Sequence, residues 1–99
     1  MDLSAVGLPT TPESFALRVE GDSMINAGIN DGDIILLERR KAKSGDIVVA
    51  VVEGQVTVKR YLEKDGRHFL RAANPKYEDR ELTGDWILQA VAVGLIRKF

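Results

Sequence analysis

The chain has 99 residues, 44% hydrophobic and 29% charged, enough for one domain with a modest core. Acidic and basic side chains nearly cancel, to a formal net charge of -1, so the surface as a whole is not built for the phosphate backbone of nucleic acid. Cysteine is absent and His68 is the single histidine, which excludes disulfides, thiol nucleophiles, cysteine-bound zinc and a histidine metal cluster, and nothing calls for a cofactor.

In chain order, residues 1–14, "MDLSAVGLPTTPES", hold two prolines and a glycine among small polar residues and read as a linker or extended arm; residues 15–99 read as one folded domain. "FALRVE" (15–20) alternates Phe15, Leu17 and Val19 with Ala16, Arg18 and Glu20, the two-residue period of a half-buried strand. "SMINAGIN" (23–30) has room for one short helical turn before a tight turn at Asp31-Gly32. "DIILLE" (33–38) and "DIVVAVVE" (46–53) are continuous apolar runs, short and rich in β-branched residues, which predicts strands buried on both faces. Between them Arg39, Arg40, Lys41 and Lys43 read as a solvated loop.

Glu53-Gly54 predicts a hairpin into "QVTVKRYL" (55–62), and "KDG" (64–66) a second tight turn into "HFLRAA" (68–73), where His68 reads as a strand-edge residue. "NPKYEDRELTGD" (74–85) is a polar loop. "WILQAVAVGLIRKF" (86–99) reads as one long strand opened by Trp86, or a strand bent at Gly94. The fold class is mostly β, a small barrel-like or rolled sheet. No apolar stretch nears the ~20 residues that span a bilayer, and the N-terminus lacks a basic-then-apolar signal pattern. The expectation is a cytoplasmic protein without membrane contact.

Two residues raise a chemical question. Ser23, in "VEGDSM" (19–24), stands where a strand ends and a turn begins. Lys59 is the lysine amid valines of "VTVKRY" (56–61). A neutral lysine amine can take the proton of a serine hydroxyl if burial disfavours its ammonium form, and Ser-Lys pairs are a variant of the triad logic. Against this, serine after Gly-Asp is common turn chemistry, and alternation puts Lys59 on a polar face with Gln55, Thr57 and Tyr61. An exposed lysine is protonated and cannot act as a base. Spacing leaves both readings open. Asp31 and Asp33 around Gly32 read as a turn rather than a metal site, Met24 as a core or cleft filler.

The stretches "GDSMINAGINDGDIILL" (21–37), "SGDIVVAVVEGQVTVKRY" (44–61), "RAANPKYE" (71–78) and "VAVGLIRKF" (91–99) resemble, in order and spacing, the self-cleaving Ser-Lys peptidase family of LexA-type repressors, UmuD and phage repressors. The last two blocks resemble the C-terminal domain of LexA-type repressors more than UmuD. The resemblance implies one small domain of strongly bent antiparallel sheets with at most one short helical turn. It implies Ser23 as nucleophile, Lys59 as general base, and the backbone N–H groups of Asp22 and Ser23 as oxyanion hole. It also implies that the face bearing Lys59 is covered when a cleavage segment folds over it. Bacterial signal peptidases share the Ser-Lys idea, but their motif has a proline where Asn26 stands here.

The function so implied is that of an autoproteolysis and dimerisation domain of a LexA-like repressor of the SOS response to DNA damage. Its partners would be a second copy, the RecA filament, and DNA only through a separate N-terminal domain. The alternatives are a UmuD-like accessory subunit of a translesion polymerase and a non-catalytic dimeriser. Nothing in the chain can form the family's winged helix-turn-helix. Val6-Gly7 is the single bond like the family's scissile Ala-Gly, and it lies too near Ser23, so the expectation is a core fragment without its own substrate in cis. The closing strand, long and apolar, is expected at a sheet edge, pairing across a two-fold axis with Val91 to Ile96 at the interface.

Overall fold

The computed structural model describes residues 14–97. It contains strands β1 (Ser14–Arg18), β2 (Ile34–Glu38), β3 (Ile47–Val52), β4 (Gln55–Lys64), β5 (Arg67–Arg71), β6 (Arg80–Glu81) and β7 (Trp86–Ile96), with one 3-10 turn at Ile25–Ala27. All seven join one antiparallel sheet in the order β1-β2-β7-β3-β4-β5-β6. The mostly-β reading holds, as does the single helical turn. The expected arm falls on residues outside those described, except that Ser14 already pairs with Glu38 in β1.

The hairpins follow from local chemistry. Glu53 and Gly54 have φ of 50° and 80°, Asp65 and Gly66 54° and 75°, so each two-residue loop has both residues left-handed. That turn matches the twist of the strands it joins, and glycine takes the second position without steric cost.

The closing strand lies inside the sheet order yet is laddered on one side at each end: Trp86 to Val91 pair with β3, and Val91 to Ile96 with β2. β7 lies between β2 and β3 and pairs with both. Position in the chain says nothing about position in the sheet, and β7 buries Ala90 and Val91 while Ile87, Val93 and Leu95 stay exposed. Val91, expected at an interface, is 1% exposed and belongs to the core. Two bulges, rather than a bend at Gly94, shape the strand. Register shifts leave Gln89 as the extra residue against β3 and Val93 against β2. The first shift turns the strand over, so that Leu88 packs with one core and Ala90 with the other.

Those two cores lie on opposite faces of β3. Val49 joins Val19, Met24, Ile29, Ile35, Leu37 and Ala90. Val48 and Ala50 join Val52, Tyr61, Leu70, Leu82 and Val91, with Trp86 packed against them. Both predicted double-sided strands are therefore buried as expected, β2 through Ile35, Leu36 and Leu37. His68 is not an edge residue: β5 is flanked by β4 and β6, and His68 Nδ1 lies 2.7 Å from the Tyr61 hydroxyl. The polar loop after β5 contains β6, a short strand its sequence did not announce, tied down by Arg67 on Glu81 and Arg71 on Asp79. Arg39, Arg40, Lys41 and Lys43 are exposed, with Arg39 stacked on the Phe15 ring.

Candidate active site

Ser23 sits on a turn braced from several sides. Backbone bonds Val19 N–H to Asp33 O and Gly32 N–H to Val19 O, both 2.8 Å, close the base of the loop. Gly21, at φ 89°, reverses the chain, and its N–H donates to Asp31 Oδ1 at 2.8 Å. Met24 is 1% exposed and anchors the turn in the core, while its carbonyl accepts from Ala27 and Ile29. Asp33 accepts from Asn30 N–H at 2.7 Å and receives both prongs of Arg97. The two aspartates around Gly32 thus brace the turn, as their sequence context suggested.

The last brace is the segment after β5. Asn74 Nδ2 donates to the Asp22 carbonyl at 2.9 Å, and Tyr77 OH and Lys76 Nζ both donate to the Asp22 carboxylate. Asn26 N–H donates to Ala73 O at 2.8 Å, and Ala73 N–H to Met24 Sδ at 3.3 Å. The Tyr77 hydroxyl bond first, and then Lys76, hold the Asp22 carboxyl below its ordinary value.

Lys59 comes from the middle of β4, locked opposite Val48 in the ladder with β3. Its Nζ lies 3.0 Å from Ser23 Oγ and 2.8 Å from Thr57 Oγ1. The two candidate residues, 36 apart in sequence, are in hydrogen-bond contact. Strand alternation placed Thr57 and Lys59 on one face correctly, but that face is not open to water: Lys59 is half-buried and Tyr61 is 4% exposed. Burial pushes the Lys59 amine below its ordinary value, and among the described residues no carboxylate pairs with it. Val6-Gly7 falls outside the described residues.

A cleft of about 300 Å³ runs past the pair, between the β1 end (Leu17 to Glu20) and β4 (Val56 to Lys59), floored by Met24. β1 and β4 stand four places apart in the sheet, so the sheet must curl to bring them together. A second cleft of similar size opens beyond Lys59, lined by Gln55, Val56, Glu78 and Arg80 among others. Val56 stands between them, 60% exposed. Among the described residues, the N–H groups of Asp22 and Ser23 are taken by no other protein group. A serine oxygen touching a desolvated amine, with open amides beside it and a cleft of mixed polar and apolar lining alongside, can carry acyl transfer.

The model of the family described as Peptidase S24-like matches residues 1–93. The chain belongs to that family. It is similar to a LexA repressor of Verrucomicrobium spinosum, 44% identical over 99 residues, which is 100% of this chain and 49% of the relative. A LexA repressor of Ruegeria sp. is 48% identical over 95 residues, 93% of this chain and 39% of the relative. The chain therefore spans half the length or less of these curated relatives. Among the described residues no helix is long and apolar enough to cross a membrane.

Sequence reading missed Thr57, Asn74, Lys76 and Tyr77. Thr57 was within reach, since residues two apart on a strand share a face. The other three meet the serine turn only through tertiary contact.

Proposed function

We propose that this domain is the autoproteolysis and dimerisation part of a LexA-like repressor, cutting a peptide bond with Ser23 as nucleophile and Lys59 as general base. The observation that carries the reading is the 3.0 Å between Lys59 Nζ and Ser23 Oγ. With the amine neutral, the Ser23 proton passes to Nζ as Oγ bonds the scissile carbonyl carbon. The oxygen so charged is met by the N–H groups of Asp22 and Ser23. The C–N bond then breaks, the Lys59 ammonium gives its proton to the leaving nitrogen, and an ester on Ser23 remains. Water, giving its proton to Nζ, hydrolyses that ester, and Ser23 recovers its own. Thr57 Oγ1, 2.8 Å from Nζ, holds the amine in line.

An extended segment fits the cleft alongside β1, which ends the sheet among the described residues and offers backbone groups for an added strand. In the whole protein a RecA filament would favour the conformation in which the segment sits there, acting by preference for that state. DNA would be held by another domain, and the setting is the cytoplasmic response to DNA damage. That both relatives above are called LexA repressors supports this over the polymerase-accessory alternative.

A dimerisation role has its own support in Ile87, Val93 and Leu95, exposed apolar residues along β7. Contact would be through these side chains and through the backbone of Ala92 to Ile96 on the side away from β2, which the ladder with β3 does not reach. The test of the enzymatic reading is to supply a peptide carrying an Ala-Gly bond in trans at alkaline pH. Cutting by the wild type and none by Ser23→Ala is the expected result. Equal cutting by both, or none by either at any pH, would sink it.

A further inference from the structure

Asn74 is the polar residue best placed to act on the serine turn without touching substrate. It is 9% exposed, and both ends of its amide are engaged: Nδ2 donates to the Asp22 carbonyl at 2.9 Å and Oδ1 accepts from Lys76 N–H at 3.1 Å. The carbonyl it grips belongs to the peptide unit whose other end is the Ser23 N–H. A peptide unit is planar and trans, so its C=O and N–H point in opposite directions. Fixing the oxygen toward Asn74 therefore fixes the Ser23 N–H away from it. A donor on the carbonyl also polarises the amide, which strengthens its N–H as a donor. The Asp22 side chain is held by the same segment through Tyr77 OH and Lys76 Nζ, which keeps this residue from rotating about the grip.

We propose that Asn74, seconded by Tyr77, is a positioning residue for the reaction: it aims the Ser23 N–H at the developing oxyanion by holding the opposite end of the same peptide unit. The inference rests on the Ser23-Lys59 reading above. Neither residue touches the reacting atoms, and neither touches Lys59. Their effect is thus confined to stabilising charge on the oxyanion, where losing one donor outright costs about 100- to 1000-fold. Misaiming a donor that remains present costs less.

The test is the rate at which a small fluorophosphonate labels Ser23, followed by mass across pH. Oγ bonds phosphorus, fluoride leaves, the hydroxyl proton goes to Lys59, and the phosphoryl oxygen occupies the oxyanion position. Asn74→Asp keeps the shape and the acceptor but loses the donor. It is expected to slow labelling by roughly 10-fold or more, within the bound set by loss of a whole donor. Tyr77→Phe, at a half-exposed position that tolerates the change, is expected to slow it about 3-fold, a weaker disturbance of the same donor. In both, the pH midpoint should stay at the wild-type value, and KM for an Ala-Gly peptide should not move while kcat falls.

A merely structural role would alter stability without this split. Labelling within twofold of wild type in folded Asn74→Asp overturns the proposal, and so does a displaced midpoint, which would place the effect on Lys59. Should Asn74→Asp not fold, an unchanged rate in Tyr77→Phe overturns it alone. A wild type that Ser23→Ala shows to be unlabelled at Ser23 brings down the dyad itself, and the clamp with it.

Discussion

Arg97 closes a two-pronged ion pair on Asp33, Nε to Oδ1 at 2.9 Å and Nη2 to Oδ2 at 2.7 Å, joining the end of β7 to the loop after the nucleophile turn. The same guanidinium donates to Gly28 O at 2.6 Å, the residue that ends the 3-10 turn. The Asp33 side chain is 4% exposed and the Arg97 side chain 49%, and among the described residues Arg97 is the one cation paired with this carboxylate. Arg97 lowers the Asp33 pKa to about 2, helped by the Asn30 N–H.

Because the folded value lies below the unfolded one, the folded state binds fewer protons and the stabilisation is fully present above pH ~4. It is lost as pH falls through about 2. Asp33→Asn should flatten acid unfolding in that window, and Arg97→Ala should lower the thermal midpoint by several degrees at neutral pH. Circular dichroism melts at a series of pH values check both.

Leu37 is 0% exposed and packs at the centre of the core beneath Met24 and Val49. Leu37→Ala should cost about 2–5 kcal/mol, the range for a buried leucine whose cavity only partly collapses. In a domain this small that is a large part of total stability. Urea titration with an unchanged slope would measure it.

Lys59 has a slope of the same sign as Asp33, at the alkaline end of the pH scale. Burial lowers its pKa, so between that lowered value and 10.5 the unfolded chain binds the extra proton and stability rises with pH. Lys59→Met removes this dependence. It should abolish cleavage while leaving neutral-pH stability equal or higher, with the advantage shrinking as pH approaches the ordinary lysine value. Paired melts of wild type and variant at rising pH report the sign.

The outward side chains of β7 predict a homodimer broken by Val93→Asp. Val93 is 48% exposed at a bulge, so a charge there spares the core. Sedimentation should give a dimer for the wild type and a folded monomer for the variant. A wild type that stays monomeric at high micromolar concentration would exclude this face as an interface.

What could be read from the sequence was what local chemistry decides. Glu53-Gly54 and Asp65-Gly66 announced their hairpins because a left-handed pair has few solutions. Ser23 and Lys59 could each be picked out, and the family resemblance joined them. Their contact itself depends on a sheet that curls until β1 and β4 meet, which no spacing encodes. The same limit holds for β7: its place between β2 and β3, with a partner on one side at each end, is set by the rest of the sheet. His68 shows the limit in small, since its place beside Tyr61 and Trp86 comes from the register of β4 and β5.

The central claim is that Lys59 is the base for Ser23, and the pH dependence of peptide cleavage in trans tests it most directly. The rate for wild type should rise through one ionisation below the ~10.4 of a free lysine. Lys59→Arg, which keeps its charge at every accessible pH, should be folded and inactive throughout. Cleavage retained in Lys59→Arg, or a wild-type profile with no ionisation in that range, would contradict the account.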